Sequence, residues 1–198
     1  MRKVVLLAVV LALAAPAWAD DLFPPPWRGQ PNTTYQAWTF DYDQGSYWVP
    51  ENYNNPYGTP YIYTYYQDEN WYGYWEGRQG VMEPWANEMY INLPNVPNPD
   101  DWKIVWVQMT WWSAWGYGPG FSFSDPPGQV MNEQQTDLGG GWFHSLYEIW
   151  IPGNPPFEMV AFYTDQYFDQ IIVDTICIPE PASLGLLGLA GLVLLRRR

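Results

Sequence analysis

Twenty prolines and 17 glycines punctuate the chain and cut its apolar sequence into short runs. Proline removes a helical donor and clashes with the preceding turn, and glycine in a helix interior costs about 1 kcal/mol. Between the two ends no window sustains a 3.6-residue period, so long helices are excluded there. The runs between the breakers are rich in Trp, Tyr, Phe and β-branched residues, a composition that fits a pleated, half-buried surface.

The expected strands are Tyr35–Asp41, Tyr61–Tyr66, Trp71–Glu76, Met89–Leu93, Trp102–Trp112, Phe121–Ser124, Trp142–Ile151, Phe157–Tyr163 and Phe168–Ile178. Asp68-Glu69-Asn70 suits a hairpin turn between the second and third. Trp102–Trp112 is apolar on both faces and is expected to be central, with Lys103 and Gln108 at an exposed fringe. Gly116–Gly120 and the stretch from Asp125 through Thr136 read as long loops. Short strands at hairpin-like intervals predict an all-β, antiparallel β-sandwich over residues 35–178, jelly-roll-like, with an immunoglobulin-like sandwich as the alternative. Residues 20–34, with Pro24-Pro25-Pro26, read as an extended arm leading into it.

The two ends are of another kind. Arg2-Lys3, the apolar run Val4–Ala14 and the small-x-small site Ala17-Trp18-Ala19 have the layout of a secretory signal peptide spanning residues 1–19, cut after Ala19 by signal peptidase. At the other end, Pro179-Glu180-Pro181 is followed by an apolar run from Leu184 to Leu195 and by Arg196-Arg197-Arg198. The prolines hold Glu180 in an extended segment that cannot prolong a sheet. The apolar run gives about 18 Å of helix, short of a hydrocarbon layer about 30 Å thick. The three arginines are expected to stay cytoplasmic, leaving the domain outside.

Over residues 179–198 this tripartite pattern resembles the PEP-CTERM sorting signal of secreted bacterial proteins. The resemblance implies recognition of the Pro-Glu-Pro motif by an exosortase, a membrane transpeptidase-like enzyme. It also implies a precursor transiently associated with the membrane, and delivery to the cell surface or an exopolysaccharide matrix. The strand that precedes the motif looks like the last strand of many such cargo sandwiches.

With the ends set aside, Arg28, Arg78 and Lys103 face twenty acidic side chains, a net charge of −17. Phosphate backbones and anionic lipid surfaces repel such a domain, so nucleic acid is excluded as a partner. Cys177 is the one cysteine, so no internal disulfide forms; it reads as a small buried residue, with an intermolecular bridge as the alternative. One cysteine and one histidine also exclude the usual zinc clusters.

Of 38 aromatic residues, 37 lie in residues 20–178, more than the centre of a domain this size can hide. Trp71, Tyr72, Tyr74 and Trp75 cluster near a turn, and Trp111, Trp112, Trp115 and Tyr117 cluster where a strand enters a Gly-rich loop. Rings beside carboxylates and amides are what glycan binding needs, stacking on sugar C–H faces and bonding to hydroxyls. The plainer reading is that the rings pack the sandwich. Asp41 and Asp43 alternate before Gly45 and, with Asp174 in the last strand, offer oxygen ligands for a structural Ca²⁺. Asp174 reads otherwise as a solvated acid on an edge strand. His144 has no nucleophile motif beside it, and nothing singles out a pair of carboxylates for glycoside hydrolysis. The sequence thus predicts a non-catalytic secreted protein, structural or adhesive, with a carbohydrate-binding module as the alternative and a glycosidase- or lyase-like enzyme as a remote one.

Overall fold

A computed structural model describes residues 21–65, 69–84, 88–95 and 101–179. Ala17 and Ala19 of the expected signal peptide, Glu180 and Pro181 of the expected sorting motif, the expected C-terminal helix and Arg196, Arg197 and Arg198 lie outside the described residues. Among the described residues there are twelve strands and no helix. They are β1 (Thr33–Trp38), β2 (Asn52–Asn54), β3 (Tyr61–Thr64), β4 (Glu69–Trp75), β5 (Arg78–Pro84), β6 (Glu88–Pro94), β7 (Asp101–Trp112), β8 (Gly120–Asp125), β9 (Gln129–Gly139), β10 (Trp142–Ile151), β11 (Phe157–Tyr163) and β12 (Tyr167–Pro179).

All pairings are antiparallel and form two sheets. The larger has the order β2-β1-β12-β7-β10-β9, with the β4–β5 hairpin joined to β12 through β5; the smaller has the order β3-β6-β11-β8. Alternate residues of β7 (Val105, Val107, Met109, Trp111) and of β10 (Tyr147, Ile149, Ile151) meet Ile91, Leu93, Val160 and Phe162 of the smaller sheet in one buried cluster. Tyr147 and Phe162, from facing sheets, meet edge to face at 5.0 Å. The all-β sandwich expected from the strand pattern is therefore present.

Three sequence expectations are corrected. Asp68-Glu69-Asn70 does not close a hairpin: β3 pairs with β6 in one sheet, and β4 pairs with β5 in the other. The stretch ending at Thr136 contains β9, a strand of 11 residues. Its side chains are exposed or half-buried throughout, so it carries no apolar alternation, and its backbone bonds to β10 define it. Lys103 and Gln108 are each 1% exposed rather than at a fringe.

Gln108 is buried because the N-terminal segment folds back over the outer face of the larger sheet. Gln108 accepts from the Phe23 backbone N–H at 2.8 Å and donates to Asp21 at 2.8 Å, while the Trp106 indole donates to the Phe23 carbonyl at 2.8 Å. The Phe23 ring leans on His144, 5.7 Å between centroids, and His144 is bonded to Thr110 at 2.9 Å. Arg28 then clamps the strap down. It donates to both oxygens of Asp174 at 2.7 and 2.6 Å, and it also pairs with Asp21. Asp174 is thus 1% exposed on β12, flanked by β1 and β7, and not a solvated edge acid. Burial pushes its carboxyl up to about 6 although Arg28 pulls the other way.

Candidate functional site

The exposed aromatic surface lies on the outer face of the smaller sheet. Tyr61, Tyr63 and Tyr65 occupy alternate positions along and just past β3, so they project to one side. In register beside them run Tyr90 of β6, Ala161 of β11 and Phe123 of β8. Tyr63 stacks on Tyr90 at 4.8 Å with 14° between planes, and Phe123 meets Tyr90 at 6.2 Å across the methyl of Ala161. Tyr47 closes on Tyr61 and Tyr63 at 5.9 and 6.0 Å. Cross-strand contacts of this kind hold rings in place before any ligand arrives.

The rings at the rim remain open. Tyr47 is 52% exposed, Tyr65 60% and Tyr163 58%. An exposed aromatic patch on an outer sheet face is a candidate interaction surface. Polar groups sit among the rings. Glu88 accepts from the Tyr90 hydroxyl at 2.6 Å and from Ser122 at 3.1 Å. Ser122 reaches it because a register shift between Ala161 and Phe162 makes it the extra residue on β8. Burial and the bond to Glu88 raise the Tyr90 hydroxyl, and burial raises Tyr63, so both stay protonated in ordinary buffers.

At one end the face opens into a cleft of about 380 Å³ lined by Tyr117, Gly118, Gly120, Tyr163, Thr164, Asp165 and Gln166. Tyr163, opposite Glu88 across the β6–β11 pair, belongs to both the face and the cleft. Thr164 and Gln166 are bonded to each other at 2.9 Å. Tyr117 and Tyr163 thus line the cleft together with the hydroxyl, carboxylate and amide groups of Thr164, Asp165 and Gln166.

The sequence-predicted aromatic residues separate into three groups. Trp111 is fully buried, donates to Ser145 at 2.9 Å and stacks on Phe143 at 4.7 Å; it is core, because β7 is covered on both faces at that point. Trp71 is half-buried against the core and donates to the Phe40 carbonyl at 2.7 Å. Tyr72, Trp75 and Trp112 meet Tyr167, with Trp75 and Tyr167 stacked at 4.3 Å, and Glu83 accepts from Tyr72 at 2.7 Å. These rings spend their faces on one another. The Tyr72 hydroxyl is pushed up to about 12 by burial and by Glu83. Tyr74, Trp115 and Tyr117 are exposed at 66%, 83% and 77%, and Tyr117 alone among the predicted residues lines the cleft.

The calcium trio is not brought together around a cation. Asp174 is taken by Arg28, while Asp41 and Asp43 are exposed and Asp43 accepts from the Gly45 backbone N–H at 2.9 Å. Among the described residues no group of three or more His, Cys, Asp or Glu side chains is placed to hold a metal ion. Tyr47, Tyr61, Tyr63, Tyr65, Tyr90, Phe123, Tyr163, Glu88 and Asp165 were not singled out from the sequence. One signal was legible there: Tyr61-x-Tyr63-x-Tyr65 repeats at period two, the spacing that puts three rings on one strand face. Comparison with family models, with curated proteins and with solved structures finds no match to this chain.

Proposed function

We propose that this chain is a secreted, non-catalytic adhesive protein that holds polysaccharide at the cell surface or in an extracellular matrix. In this reading the tyrosine face of the smaller sheet and its cleft form the glycan-binding surface, and the PEP-CTERM-like tail delivers the protein. The observation that carries the reading is the continuity of the exposed face. Tyr47, Tyr65, Phe123 and Tyr163 surround a stacked Tyr63–Tyr90 floor, with Glu88, Asp165 and Gln166 within the same surface. Sugar rings offer apolar C–H faces and hydroxyl edges, and this surface offers rings and fixed polar groups to match. Strand order supports a jelly-roll-like wiring, since β1-β12-β7-β10 opposes β6-β11-β8 and the first strand lies beside the last.

The test is a polysaccharide array probed with residues 20–178. Binding to at least one glycan is expected. Tyr163→Ala should weaken it about tenfold, or about 1.4 kcal/mol. Tyr74→Ala, exposed but on the other sheet, should leave it unchanged. Silence on every glycan, or equal losses in the two variants, would remove this surface as the site.

A further inference from the structure

Five polar side chains close on one another where β12 leaves the sandwich. Lys103 of β7 and Glu158 of β11 come from opposite sheets, are 1% and 0% exposed, and stand with Nζ 3.4 Å from Oε1. The Glu158 oxygens make no hydrogen bond of ordinary geometry, and burial pushes the carboxyl up to about 7 against the pull of Lys103. The carboxamide of Asn95 also lies near this carboxylate and is itself bonded to Asn154. Cys177 Sγ lies 3.6 Å from Lys103 Nζ and 4.0 Å from Asn95 Oδ1. The amine and the carboxamide therefore lie beside the same carboxylate and the same sulfur; Lys103, Glu158 and Asn95 are buried, while Cys177 is half-buried rather than buried as its sequence suggested.

We propose that Lys103 and Asn95 become joined by an intramolecular isopeptide bond, formed by the folded protein itself with Glu158 relaying protons. Transfer of a proton within the Lys103–Glu158 pair gives a neutral amine and a neutral acid. Nζ then attacks Cγ of Asn95. Glu158 gives its proton to Nδ2 and recovers one from Nζ, the Cγ–Nδ2 bond breaks, and ammonia leaves. One amine and one carboxamide become one secondary amide and one ammonia, and no oxidant or other reactant is consumed. Loss of two charges from an apolar interior favours the product, because each buried ion carries a desolvation cost.

The position gives the bond a use. Lys103 is in register with Cys177, two residues before Pro179, where the chain passes into the sorting segment. Asn95 directly follows β6 in the facing sheet. A covalent link there staples the two sheets where a surface tether would pull, in a chain with no second cysteine to make a disulfide.

The bond has a signature in peptide mapping. Lys103 is the only tryptic site between Arg78 and Arg196. Digestion of the denatured secreted protein should give no cut after Lys103, and the fragment beginning at Gln79 should run past Ile104. Its mass should be about 17 Da below the sequence value, the loss of one ammonia. Glu158→Gln should restore both the cut and the full mass. A full-mass Gln79–Lys103 peptide from the wild-type protein would overturn the proposal. So would a 17 Da loss with Lys103 still cleaved, which is a cyclised Asn95.

Discussion

The clamp between Arg28 and Asp174 makes a prediction whose size depends on pH. Asp174 is 1% exposed, and its carboxyl stands at about 6 in the folded protein against 3.8 as its ordinary value, even with Arg28 donating to both oxygens. A carboxyl raised on folding contributes its full stabilisation below pH 3.8 and loses it as the pH rises through about 6. In the wild-type protein that loss is about 3 kcal/mol by pH 8. Arg28→Gln keeps most of the aliphatic stem but removes the cation, so the carboxyl rises further and the loss by pH 8 grows by about 2–3 kcal/mol, the usual size of a neighbouring cation's hold on a carboxylate. The variant should therefore be less stable than wild type by about 2–3 kcal/mol more at pH 8 than at pH 5. Beneath this lies a pH-independent loss of about 1 kcal/mol from the missing hydrogen bonds. Urea unfolding of both proteins at the two pH values measures the difference. Adding Asp174→Asn to the variant should abolish the pH-dependent part. An equal deficit at both pH values, or a larger one at pH 5, would refute the assignment of Arg28 as the counter-charge of a buried acid.

Two further outcomes are expected. Gly80 has φ +68°, and a Cβ there would stand 2.4 Å from the Phe40 carbonyl oxygen, so Gly80→Ala should cost at least about 2 kcal/mol in chemical denaturation; a loss below about 0.5 kcal/mol would show that β5 and the Phe40 backbone shift apart freely. Replacing Pro179-Glu180-Pro181 by three alanines should leave the protein membrane-associated in cell fractionation, and normal release would sink the sorting reading.

Much of the sandwich was legible in the sequence, because breakers and aromatic runs carry strand information directly. The strands from Met89 to Ile178 were placed nearly to the residue wherever one face was apolar. β9 was not, since an edge strand with two wet faces has no pattern beyond the hydrogen bonds its neighbour supplies. Lys103 and Gln108 looked like a fringe because a polar residue in an apolar run usually marks solvent. Here each has a partner remote in sequence, Glu158 for one and the strap for the other. The candidate site was missed for a related reason. Its tyrosines come from strands that pair across the smaller sheet, so their common face exists only once β3, β6, β11 and β8 are in register.

Those buried polar residues bear on how β12 finds its place. β12 pairs with β1 on one side and β7 on the other, and its sequence around Asp174 is apolar on both faces: Ile171 and Val173 on one, Ile172 on the other. Apolar content alone would tolerate a slip of one residue, since either set of side chains could face the core. The slip would turn Asp174 inward, away from Arg28, and leave a carboxyl in the apolar cluster, at a cost of several kcal/mol. It would also break the alignment of Lys103 with Cys177. A buried ion pair adds little stability over a well-packed apolar substitute, but it penalises the wrong register heavily. On this argument the Arg28–Asp174 clamp acts mainly as a register lock, so replacing both residues by apolar ones should preserve stability while admitting alternative pairings of β12.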